Sequence, residues 1–219
     1  MIVVIQCAAT KRPGVGHLQS RDGRRVVFVA DPLSAPAIDG IVYARPDDQA
    51  WGRMSWRDVL LRYNERRDNP LGLSPAGRLY ENKIYARLVD RFGPWRVYIL
   101  SAGWGLISAG FLTPYYDITF SQSADAYKRR RQTDRYLDFQ MLPCQTHEPV
   151  VFFGGKDYLP LFCALTASIR TTRTAFYNSA KIPQADGCVL QRFDTTTRTN
   201  WHYECANAFL DGEISPVMP

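Results

Sequence analysis

The sequence lacks any uninterrupted run of about 18 apolar residues, the length a membrane-crossing helix needs, and its start, MIVVIQC, lacks the basic and long apolar regions of a secretory leader. No membrane partner and a cytoplasmic location are the expectations. Histidine is scarce, with three residues in the chain, and the five cysteines (Cys7, Cys144, Cys163, Cys188 and Cys205) are scattered with no C-x-x-C pair. That pattern supports neither a disulfide framework nor a zinc site, so the cysteines read as reduced, mostly buried thiols and no metal or organic cofactor is expected. Also missing are G-x-S-x-G, H-E-x-x-H, a P-loop and a G-x-G-x-x-G between strand and helix. A serine hydrolase, a zinc protease and a dinucleotide dehydrogenase are disfavoured. No repeat, low-complexity tract or linker interrupts the chain.

What is present suits one packed α/β domain spanning residues 1–219, with 46% hydrophobic and 13% aromatic residues. Lysine and arginine total 27 against 21 acids, a net charge of +6, and most of the cations are arginine, whose fork suits phosphate. Apolar runs predict strands over 3–7, 26–30, 41–45, 95–102 and 150–154. Helical spacing predicts helices over 56–67 behind Ser55, over 76–91 before the stop Phe92-Gly93-Pro94, over 123–142 as a basic helix, and over LPLFCALTASI. From about residue 172 the chain reads as short strand-like pieces and polar turns. Strands alternating with helices predict a three-layer domain with a mostly parallel central sheet, in which ligands bind beyond the carboxyl ends of the strands.

Three of those strand ends and one charge run carry the chemistry. In QCAATKRPG, Gln6, Cys7 and Lys11 bring an amide, a thiol and a cation around one loop. In SAGWGL and TPYYD, Ser101 ends a strand, Trp104 between two glycines offers a face on which a base can stack, and Asp117 follows Tyr115 and Tyr116 as the catalytic carboxylate. In FFGGKDYLP a Gly-Gly turn exposes amides at a helix start, and Gly155, Asp157 and Tyr158 line the same pocket as Asp117. Asn178 and His202 are polar readers of a base edge; for each alone, a core or surface role is the plainer reading. The run Lys128, Arg129, Arg130 and Arg131, with Arg173, is the phosphate-binding surface. Each residue also has a structural reading: Trp104 as core, Asp117 as a turn cap, and the charge run as solvated surface.

Four motifs together resemble a family of small bacterial and phage-associated α/β domains formerly of unknown function. They are Cys7-Ala8-Ala9-Thr10-Lys11, Ser101-Ala102-Gly103-Trp104-Gly105-Leu106, Pro114-Tyr115-Tyr116-Asp117 and Gly155-Lys156-Asp157-Tyr158, in order over residues 1–165. The second tyrosine of PYYD and the tryptophan at 104 depart from the family pattern. This family is distantly similar to uracil-DNA-glycosylase-like domains and to domains of deazaguanine base exchange. The resemblance implies a uracil-DNA-glycosylase-like fold and N-glycosidic chemistry on DNA, such as removal of a glucosylated hydroxymethylcytosine from phage DNA in antiviral defence. In that reading the target base is flipped from the duplex, Asp117 and Gln6 are catalytic, and an abasic site remains. A Schiff-base route through Lys11 is the lesser expectation. The rivals are a base or nucleotide transferase acting on tRNA or nucleotides, and a non-catalytic DNA-binding stress or defence protein.

Overall fold

The computed structural model describes residues 1–217. Its centre is a seven-stranded sheet built from β1 (Ile2–Gln6), β2 (Val97–Ser101), β3 (Gly105–Ser108), β4 (Phe139–Gln140), β5 (Val150–Phe153), β6 (Arg173–Tyr177) and β7 (Val189–Arg192). The strand order is β4-β3-β2-β1-β5-β6-β7, and every pair is parallel except the hairpin β2–β3. β1, β2 and β5 are the continuous apolar runs of the sequence, and they occupy the middle because their residues are buried on both faces. The expected α/β architecture with a mostly parallel sheet is therefore present.

The helices α1 (Trp56–Asn64), α2 (Lys83–Phe92), α3 (Leu159–Leu165) and α4 (Trp201–Leu210) pack around this sheet. Neighbouring phenylalanines on β5 separate its two faces. Phe153 meets Phe209 of α4, which stacks on Phe92 of α2, while Phe152 stacks on Phe162 of α3 at 4.5 Å between centroids. α1 starts as its sequence implies: Ser55 caps it in a reciprocal capping box with Asp58. α2 ends at Gly93, whose φ of 81° only glycine adopts without strain. Its expected first turns are instead a 3-10 turn at Ala76–Arg78 followed by a fresh start behind Asn82, which accepts a hydrogen bond from the Ile84 amide.

Three expectations are corrected. The strands near 26–30 and 41–45 exist as Arg25–Phe28 and Ile41–Ala44, but they form their own two-stranded parallel ribbon outside the main sheet. The basic segment 123–142 is no helix: it holds one 3-10 turn, Ala126–Lys128, then turns leading into β4. A row of adjacent cations repels itself on a helix, and here Arg130 points inward while Arg131 points out. The last quarter is more regular than its composition implies, supplying β6, β7 and α4, with Trp201, Cys205 and Ala208 at helical spacing on the buried side.

The hairpin between β2 and β3 is where the polar interior concentrates. Ser101 Oγ accepts the amides of Gly103 (3.2 Å) and Trp104 (3.1 Å), closing the turn. Gly105 at φ 86° brings the backbone so near β4 that a Cβ would stand 2.5 Å from the Phe139 carbonyl. The carbonyls of residues 102–104 face inward; that of Trp104 accepts the Phe139 amide at 2.9 Å, and those of Ala102 and Gly103 would be unpaired without Arg130 and Arg57. Arg57 donates to Gly103 O (2.8 Å) and Trp104 O (3.1 Å), and Arg130 donates to Ala102 O (2.9 Å). Asp47 and Asp138 balance these charges, Asp138 gripping Arg130 through both oxygens at 2.8 and 2.6 Å.

Trp104 itself is wholly buried, edge-on to Phe28 at 4.9 Å and stacked on Phe139 at 6.3 Å. It is a core residue and presents no face to a ligand, which corrects its expected stacking role. Trp104→Ala is expected to cost about 3–5 kcal/mol of unfolding free energy, measured by urea denaturation; a loss below about 1 kcal/mol would contradict this placement.

Candidate functional site

β1 lies at the switch point of the sheet, since the chain builds β2, β3 and β4 outward on one side of it and then crosses back to add β5, β6 and β7 on the other. Beyond the carboxyl ends of β1, β5 and β6 opens a cavity of about 490 Å³. Gln6 and Cys7 line it from β1, Gly155, Asp157 and Tyr158 from the loop after β5, Asn178 from the end of β6, and Trp201 and His202 from the first turn of α4. Six expected pocket residues from three distant stretches thus share one wall. Sequence reading missed Thr119, Ser121 and Arg198, which complete it.

Each polar group has a definite state. Gln6 Oε1 accepts the Gly155 amide at 2.6 Å, and its Nε2 group has no protein partner among the described residues. The Gly155 N–H is therefore already used, so the Gly-Gly turn is not the free anion cradle expected of it. Gly154 is the glycine that sterics require, because a Cβ there would lie 2.2 Å from the Phe152 ring. Asn178 Nδ2 donates to Thr197 O at 3.2 Å, leaving its carbonyl oxygen for a ligand. Asp157 is exposed at the rim, and its backbone carbonyl accepts Gln132 Nε2 at 2.7 Å.

Behind the cavity lies a buried cluster of hydroxyls. Cys7 Sγ sits 3.3 Å from Tyr158 Oη, while Ser101 Oγ donates to Tyr116 Oη at 2.9 Å and Tyr116 Oη lies 2.7 Å from Tyr80 Oη. Burial pushes the phenols of Tyr80, Tyr116 and Tyr158 well above their ordinary value, so they stay protonated. Lys11 is buried against this cluster, its Nζ 4.3 Å from the centre of the Tyr116 ring and 5.9 Å from that of Tyr115. Desolvation pulls its pKa below 10.5, partly opposed by Cys7 and Asp117, and no ion pair holds its ammonium among the described residues.

Asp117 is absent from the cavity wall, though close enough to Lys11 to favour its charged form. Its amide donates to Phe28 O (2.7 Å), which ties PYYD to the outer ribbon, and its carboxylate meets Lys128 Nζ at 3.1 Å. Lys128 also binds Asp125 at 2.9 Å, and these two acids hold its pKa up. The expectation that Asp157, Tyr158 and Asp117 line one pocket is thus corrected: Asp157 and Tyr158 line the cavity, and Asp117 is paired with Lys128 outside it. Tyr115, half-buried beside His17, borders Asp117 rather than the cavity.

The expected phosphate-binding cations divide sharply. Arg130 and Arg173 are buried; Arg130 holds the hairpin, and Arg173 donates to Thr166 Oγ1 (2.9 Å) and Gly187 O (3.0 Å). Neither reaches a phosphate. Lys128 is neutralised by its two acids. Arg129 and Arg131 reach solvent and, with Arg45, line a groove of about 800 Å³ that also carries Asp31, Asp48 and Asp134. Groove and cavity are neighbours, for Ser121 faces the cavity and Gln122 the groove.

No family model, curated protein or solved structure matches the chain. What the site can do therefore follows from its own residues. Among the described residues no group of three or more histidines, cysteines and acids is placed to hold a metal, and no helix is long and apolar enough to cross a membrane.

His202 contributes a neutral imidazole. It is 2% exposed, its Nε2 has no partner among the described residues, and desolvation lowers its pKa from 6.5 to about 3. Because the folded value lies below the unfolded one, its contribution is complete above pH 6.5 and is lost as pH falls from 6.5 toward 3. Over that window wild-type stability should fall relative to His202→Asn by about 1.4 kcal/mol per pH unit, read as the difference in urea midpoints; parallel curves would refute the burial of a neutral ring.

Proposed function

We propose that the protein is a DNA glycosylase that excises a modified nucleobase, of the glucosylated hydroxymethylcytosine class, from phage DNA and leaves an abasic site, as an antiviral defence. The reading takes the sheet as uracil-DNA-glycosylase-like. The observation that supports it most is the strand-end cavity of about 490 Å³. It lies within the size range of ligand-binding clefts, and two amide side chains, Gln6 and Asn178, keep unpaired donor or acceptor capacity there. A base flipped from a duplex requires such a pocket, because its Watson–Crick edge must be satisfied away from its partner strand.

In this mechanism DNA phosphates lie along the groove of Arg45, Arg129 and Arg131, and the extruded nucleotide crosses the 121–122 ridge into the cavity. Gln6 Nε2 donates to the base, Asn178 Oδ1 accepts from it, and the neutral phenol of Tyr158 closes the floor. Asp117 acts through its charge from outside the cavity wall, favouring the electron-poor sugar that forms as the glycosidic bond lengthens. Water then adds to C1′ and the base leaves with the bonding electron pair and a proton.

One observation favours a second route. Burial lowers the Lys11 pKa, which raises the share of free amine and suits a nucleophile. Lys11 lies behind the cavity wall, so this route needs its side chain to swing into the cavity. Nζ then attacks C1′ in place of water, the base leaves with the bonding electron pair and a proton, and the C1′–O4′ bond opens, O4′ taking a second proton from nitrogen, to leave an iminium bond to the sugar. Incubation with glucosylated and unmodified DNA, followed by alkaline cleavage, is expected to reveal abasic sites only in the modified polymer. Asp117→Asn and Gln6→Ala should each slow their formation by about 100-fold or more. Borohydride added during the reaction captures a covalent adduct if Lys11 attacks and none if water does. Absence of abasic sites on every modified DNA would overturn the proposal; exchange of a free base into the polymer would mark a transferase instead, and binding without chemistry a DNA-binding protein.

A further inference from the structure

Away from the cavity, two half-buried thiols face one another. Cys163 is the fifth residue of α3, and Cys188 closes the turn that enters β7, donating its amide to Ala185 O at 3.1 Å. Their sulfurs are 3.8 Å apart, although 25 residues separate them in sequence. No polar chemistry of the cavity uses either one. The cationic Arg173 guanidinium, fixed by Thr166 and Gly187, faces both thiols, and the acid Asp186 offsets it in part. The hydrogen bond from Cys188, helped by Arg173, brings Cys163 down to about 7 and leaves Cys188 as the proton-bearing partner.

The surroundings allow the last approach. A disulfide needs the sulfurs at about 2.05 Å, so they must close by less than 2 Å. Cys188 follows Gly187, which already holds φ 69°, and precedes β7, the terminal strand of the sheet, bonded on one side only to β6. Cys7 and Cys205 are buried, and Cys144 is exposed in another part of the chain.

We propose that Cys163 and Cys188 are a redox-active pair that hydrogen peroxide converts to an intramolecular disulfide, with Cys163 as the attacking thiol and Cys188 as the resolving one. The Cys163 thiolate attacks one peroxide oxygen, the O–O bond breaks, and hydroxide leaves, forming a sulfenic acid. Cys188 sulfur then attacks the sulfenic sulfur and displaces its hydroxyl, which leaves as water with the Cys188 proton. Two thiols lose two electrons in all, and one peroxide becomes two waters.

Equimolar hydrogen peroxide on the full chain, followed by alkylation and non-reducing peptide mass spectrometry, tests this. The expected product joins the Cys163 and Cys188 peptides, lowers the free-thiol count by two, and leaves Cys7, Cys144 and Cys205 alkylated. Cys188→Ser should stop at a Cys163 sulfenic acid that dimedone captures, and Cys163→Ser should slow peroxide consumption at least about tenfold. Circular dichroism of both variants checks that they fold. Oxidation of Cys144 ahead of the pair, or a Cys163→Ser variant that consumes peroxide at the wild-type rate, would overturn the proposal.

Discussion

The structure depends on two arginines buried beneath one turn. The carbonyls of Ala102, Gly103 and Trp104 point into the protein, where the first two would lack hydrogen bonds, and the third would keep only that from the Phe139 amide, without further donors. Arg57 from α1 and Arg130 from the basic loop supply them, and Asp47 and Asp138 compensate the charge. One turn thus fastens α1, the β2–β3 hairpin and the segment before β4 to one another. Such an assembly is stable only when complete, since deleting one partner of a buried pair strands the other at a cost of about 3–5 kcal/mol.

That constraint sets the position of the site. With the hairpin held, Ser101 meets Tyr116, Tyr116 meets Tyr80, and Lys11 lies across the Tyr116 ring. Two environments lie near this polar cluster. In one, the cavity takes Gln6, Cys7, Tyr158 and Asn178; in the other, the Asp117 carboxylate is paired with Lys128. The cluster consists of protonated phenols and one lysine, so its charge varies chiefly with Lys11, which feels both Cys7 and Asp117.

Much of this was legible in the chain. Apolar runs marked the three central strands because burial on both sheet faces leaves no alternation, and small residues after Gln6 and Phe153 marked their ends. Gathering those ends into one cavity follows from parallel pairing, so Gln6, Cys7, Gly155, Asp157, Tyr158 and Asn178 came together as expected. What was not legible depends on direction. Nothing local tells that Arg130 turns inward while its neighbour Arg131 turns out, or that Trp104 enters the core instead of facing a ligand. Those outcomes are set by partners far off in sequence, Asp138 and Ala102 for the one, Phe28 and Phe139 for the other. α4 was hidden differently: Trp201, Cys205 and Ala208 do recur at helical spacing, but the polar stretch before them lacks a capping hydrogen bond, Asn200 being left-handed at φ 59°.

On the proposed function, the strand-end cavity receives a base drawn out of DNA. The most direct measurement is a crystal structure of the protein with a duplex carrying one glucosylated hydroxymethylcytosine. That nucleotide is expected to be extruded, its base edge against Gln6 and Asn178, with the neighbouring phosphates beside Arg129 and Arg131. A duplex bound with every base stacked and the cavity empty, or a base lodged elsewhere on the surface, would contradict it.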